Sequence, residues 1–214
     1  MRAIRRRGES GQSSMVEITA TLMLLSIVMT FVYAAIDSAQ VAITGETTRL
    51  VNLDEARTLM AVTTKDLRTA TRLQAGTAPF VAADKRDVTF YANLNNTTGG
   101  PRKIRIYIDS SNSLIASMWT PDVGSIAPNY TYTGASSLRY VGKYVDNTAA
   151  QPIFEYFNLT GQPLTAPLSA ADLKAVYSVK VTLSVRKQTA LPVRSVILVN
   201  QVRLPNVDYQ PPGT

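Results

Sequence analysis

Between Ile18 and Ile36 the chain carries no charged side chain, and the residue just before this run is an acid, Glu17. As a helix the run would be about 28 Å long, close to the ~30 Å hydrocarbon core of a bilayer. Its polar interruptions, Thr19, Thr21, Ser26 and Thr30, carry hydroxyls that can donate to the helix's own carbonyls. A carboxylate facing hydrocarbon costs several kcal/mol, so Glu17 needs a partner and a purpose. Ahead of it stand Arg2, Arg5, Arg6 and Arg7, where the cytoplasmic bias of positive charge explains them.

Three readings of this segment compete. A cleaved secretory signal fits the basic start, and Val32-Tyr33-Ala34 is a tolerable cleavage site. The run is nevertheless longer than the usual ~7–15 residue apolar region, and Glu17 interrupts its beginning. A plain single-span anchor fits the length but gives Glu17 no role beyond sitting at the interface. The third reading rests on the order of parts: arginines, Gly11-Gln12-Ser13-Ser14, the apolar pair Met15-Val16, Glu17, then the long apolar run.

That order resembles the class III signal of type IV pilins and pseudopilins. In that family a prepilin peptidase cuts on the cytoplasmic side of the apolar segment after a glycine. The new amino terminus is N-methylated, and a glutamate is retained at the fifth mature position. The resemblance makes Ser13 to Glu17 the first five mature residues, with Gly11, Gln12 and Ser13 forming the processing site and Glu17 the assembly residue. This chain departs from the pattern at Gln12, which stands where glycine is usual; cleavage after Gly11 would make Glu17 the sixth residue. The Gly-Gln-Ser opening also resembles the tight-adherence pseudopilins.

Composition narrows the chemistry. The chain has neither Cys nor His, so disulfides, thiolate metal sites and serine–histidine triads cannot be built. An enzyme is not expected, and neither is a cofactor. The net charge of +7 includes the four leader arginines. Lys85-Arg86, Arg102-Lys103 and Arg186-Lys187 read as solvated loop charges rather than a phosphate-binding patch, so no nucleic-acid partner is expected. Asp109, Asp122 and Asp146 lie in loops without calcium-loop spacing. The Asn-X-Thr matches at Asn95, Asn96, Asn129 and Asn158 are better explained by turn chemistry. Tyr130, Tyr132, Tyr140, Tyr144, Tyr156 and Phe157 read as strand residues that pack across strands.

No proline follows the apolar run until Pro79, and Leu50, Leu53, Ala56, Met60, Leu67, Ala70 and Leu73 draw a helical stripe. Either one helix runs from about residue 13 to 75, or two helices join near Gly45; Gly76 and Pro79 supply the stop. Beyond Pro79 the period changes to two. Strands are predicted over Val88–Leu94, Ile104–Ile108, Leu114–Trp119, Leu138–Val145, Ile153–Phe157, Val179–Arg186 and Val193–Leu204. Asn158 to Gln162 reads as a hairpin loop and Ser169 as the N-cap of a short helix to Ala175. Short strands without intervening helices predict an antiparallel sheet, lidded on one face by the long helix.

The expectation is therefore an α+β chain: a basic leader over 1–12, a membrane or filament-core helix over 13–36, an amphipathic continuation over 37–76 and a β-rich head over 77–214. This order resembles the larger minor pilins and pseudopilins, the J-type component of type II secretion and the W-type component of type IV pili. The resemblance implies a single-pass cytoplasmic (inner) membrane protein, head outside the cytoplasm, that later joins an extracytoplasmic filament. Its implied partners are prepilin peptidase, other pilin or pseudopilin subunits, the inner-membrane assembly machinery and membrane lipid. The rival expectations are an exported or anchored β-domain binding protein and a tethered hydrolase using carboxylates alone.

Overall fold

The computed structural model describes residues 9–74, 76–94, 99–187 and 194–207, with side chains from Met15 onward. A helix, α1 (Glu9–Arg68), opens the described chain and is not interrupted at Gly45. Nine strands follow: β1 (Phe80–Ala83), β2 (Asp87–Ala92), β3 (Arg102–Ile108), β4 (Leu114–Trp119), β5 (Ser137–Gly142), β6 (Phe154–Phe157), β7 (Pro163–Leu164), β8 (Ser178–Val185) and β9 (Val196–Arg203). A short helix, α2 (Ala170–Ala175), lies between β7 and β8. The chain divides into two compact units at Thr47 and Thr48.

The α+β expectation holds, but the strands form two antiparallel sheets rather than one. β1 to β5 make a meander in sequence order, while the second sheet runs β7-β6-β8-β9. Consecutive hairpins explain the first sheet. The second requires β6, already paired with β7 on one edge, to take β8 on its other edge across the α2 connection, with Phe154 opposite Val181. Strand–strand alternation specifies which face is apolar but not which sheet a strand joins.

Within the second unit, α1 lays a buried face of Asn52, Ala56, Leu59, Thr63, Leu67 and neighbours into the core. Ala56, Leu59 and Leu67 belong to one hydrophobic cluster with Phe90 and Ile104 of the first sheet and Tyr156 and Val181 of the second. The expected stripe is corrected at its edges: Leu50 is exposed and Leu53 half-buried, whereas Leu59 is fully buried. α1 also ends at Arg68, short of the expected stop near residue 75. The reason is competition from the first sheet. Ala70 pairs with Ala92, and the Thr71 N–H donates to the Tyr91 carbonyl at 2.8 Å.

Polar contacts register the helix against the sheets. Asp66 pairs with Arg139 of β5, and Glu55 Oε1 accepts from the Lys143 N–H at 2.8 Å. Asn52 Oδ1 accepts from the Lys187 N–H at 3.0 Å. Gly142 lies close against the helix: a Cβ there would run into Glu55 Oε1 and come within 2.8 Å of Leu59 Cδ2. The two sheets are joined through Ile153 and Phe154, whose N–H groups both donate to the Lys85 carbonyl, and through the Tyr156 hydroxyl, which donates to Asp84 O at 2.8 Å.

Candidate functional site: the N-terminal apolar helix

The first unit is dominated by the exposed apolar part of α1. Its large apolar side chains, from Met15 and Val16 through Leu24, Phe31 and Ile43, are all exposed. The helix contains one stretch long and apolar enough to cross a membrane, none of it buried. Apolar residues on every side distinguish it from the amphipathic surface helix of a soluble domain.

The hydroxyls inside this stretch behave as the sequence predicts. Thr19 Oγ1 donates to Met15 O at 2.9 Å, Thr21 to Glu17 O at 2.7 Å, Ser26 to Met23 O at 2.7 Å and Thr30 to Ser26 O at 2.9 Å. Each polar hydrogen is thus spent within the helix, which is the requirement for backbone and side chains in hydrocarbon. At ~100° per residue, Thr19, Ser26 and Thr30 fall on the side of the helix opposite Glu17.

Glu17 is exposed on this helix and has no ion-pair partner among the described residues. Gly11, Gln12 and Ser13 lie in the first turns of α1, so the backbone of the expected processing site is helical. Their side chains, and the leader arginines, fall outside the described residues.

The head spends its other candidate groups internally. Asp109 Oδ1 accepts from the Ser111 and Ser113 N–H groups at 2.9 and 2.8 Å. Asp122 accepts from the Thr133 and Gly134 N–H groups and from the Thr133 hydroxyl. Asp146 pairs with Arg186 at 2.9 Å. The Ser113 N–H, foremost for Asp109, and the Thr131 hydroxyl, foremost for Asp122, hold these two carboxyls below the usual carboxylate range, with the other bonds adding to them. Among the described residues no three acids converge as a metal set.

The basic pairs are only partly loop charges. Arg102 and Lys103 belong to β3, and Lys103 Nζ lies 4.8 Å from the Trp119 ring centroid and 5.4 Å from that of Tyr132. Tyr156 is buried on β6, as cross-strand packing predicts. Tyr130, Tyr132 and Tyr144 instead lie outside the strands, Tyr132 stacking on Tyr91 from the β4–β5 loop at 5.6 Å, and Tyr140 is 58% exposed. Asn158 is a turn residue, its Oδ1 accepting from the Thr160 and Gln162 N–H groups. Asn95 and Asn96 lie outside the described residues.

Fold and helix together define an α+β protein with one segment able to cross a membrane. No family model, no curated protein and no solved structure matches this chain.

Proposed function

We propose that the chain is a structural subunit, a minor pilin or pseudopilin, of a type IV pilus-like or type II secretion filament, and not an enzyme. The observation that carries this reading is Glu17, an exposed carboxylate without a described partner on the N-terminal part of α1, where the large apolar side chains from Met15 to Ile43 are exposed. A single-span anchor needs no such charge, whereas an assembling helix can use it.

On this reading the leader arginines stay in the cytoplasm, and prepilin peptidase cuts between Gln12 and Ser13 or after Gly11. The freed amino terminus of one subunit then meets Glu17 of a neighbour. Removed from water, such a pair fixes axial register, because either charge left alone would cost about 3–5 kcal/mol. The side of the helix opposite Glu17 bears Thr19, Ser26 and Thr30 beside the exposed Met15, Met23 and Tyr33, and offers a second neighbour a face without charge over this stretch. Two dissimilar faces favour head-to-tail growth over a closed pair. Lipid occupies these faces before assembly, with the head outside the cytoplasm.

N-terminal sequencing of the mature protein tests the proposal. A start at Gln12 or Ser13 is expected. A start near Ala35 would identify an ordinary exported β-domain and sink the filament reading.

A further inference from the structure

A cavity of about 280 Å³ opens in the head between the segment after α1, the β6–β7 loop and the end of α2. That volume sits just under the range of ordinary small-molecule pockets, so any occupant is small. Two charged residues line it, Arg72 and Lys174, and both are cations. Neither has a carboxylate partner among the described residues.

Arg72 is held rather than neutralised. Its Nη1 donates to Thr77 O at 3.0 Å and its Nη2 to Lys174 O at 3.2 Å, while its buried Nε has no hydrogen-bond partner. Carbonyls orient a guanidinium, but they leave its charge and one N–H unmet, and a second cation shares the wall. The remaining wall is largely apolar, with Leu159, Val176 and Val207. Val176 and Val207 are already buried, whereas Leu159 is exposed, and a bare inorganic anion would leave it uncovered.

We propose that this pocket binds a small organic carboxylate: the carboxylate faces Arg72 and Lys174, and a compact branched carbon skeleton covers Leu159. Nothing in the filament reading depends on this site, so each can fail alone.

The test uses the full chain in non-ionic detergent micelles, with isovalerate as probe and backbone amide shifts of Val176 and Tyr177 as readout. Isovalerate is expected to bind saturably, isovaleramide and phosphate at least about tenfold more weakly, since a charge-assisted hydrogen bond is lost or the apolar wall is left bare. Arg72→Gln and Lys174→Gln should each weaken isovalerate about tenfold. Because Arg72 also tethers α2, the exposed Lys174 supplies the variant that keeps the fold. No saturable shift with wild type, equal binding of acid and amide, or wild-type affinity in Lys174→Gln would each overturn the proposal.

Discussion

Gly142 is a position where the head has no room for added atoms. The strand end passes so close under α1 that a methyl group would collide with Glu55 and Leu59. Gly142→Ala should destabilise the head by about 1–3 kcal/mol, the usual cost of overpacking, read as a lower midpoint of denaturant unfolding. Asp66 poses a different constraint. Its side chain is 3% exposed, and burial raises its carboxyl above the ordinary value of 3.8, with the Arg139 guanidinium opposing that shift. A proton held more tightly by the folded chain makes this group's contribution to stability complete below 3.8 and lost as pH rises through its raised value. The half-buried Asp109 and Asp122 run the other way, contributing above the ordinary value and losing that contribution as pH falls through their lowered ones. A carboxyl-carbon NMR titration should place the Asp66 midpoint above 3.8 and the other two below; a depressed Asp66 would mean that pairing outweighs desolvation.

Among the elements, α1 shows why one residue type can have opposite effects. A methyl group added at Gly45 would meet nothing within 4 Å, and the residue sits in uninterrupted helix. Gly45→Ala should therefore add about 1 kcal/mol of helix stability, visible as a higher thermal midpoint of the helical circular-dichroism signal. If the helix instead breaks there, alanine would bring no gain. Elements with one solvated face were legible from local sequence. Leu114–Trp119 is recovered as β4 with the predicted bounds, and α2 carries Ser169 as N-cap, its hydroxyl accepting from the Asp172 N–H. What was not legible depends on distant partners. β1 and β7 are too short to show a period, and β7 begins with a proline. The second sheet follows from the β6–β8 pairing, and the early end of α1 follows from Tyr91 and Ala92, both remote in sequence. Glu17 was legible because a charge beside an apolar run is conspicuous without any fold. The Arg72 pocket was not, since its lining comes from four separate stretches of chain.

At the scale of the molecule, the proposed assembly role makes one demand that head folding does not share. Glu17 is exposed and has no ion-pair partner among the described residues, so Glu17→Ala should leave membrane insertion and head stability unchanged while abolishing incorporation into filaments. Sheared filament fractions compared with membrane fractions would measure this directly. Normal incorporation of the variant would remove the proposed function of the carboxylate. The expected absence of change in the head also separates this outcome from general misfolding.

The internally bonded hydroxyls of α1 bear on how such a chain enters a bilayer. A residue-by-residue transfer scale charges Thr19, Thr21, Ser26 and Thr30 as four separate polar penalties. With each donor already satisfied by a carbonyl one turn back, the surface offered outward is mostly methyl and methylene, and much of that penalty disappears. The electrostatic cost of partitioning is then concentrated in a single side chain at the edge of the segment. The depth at which this helix rests would be governed by one polar side chain rather than by the average character of the segment.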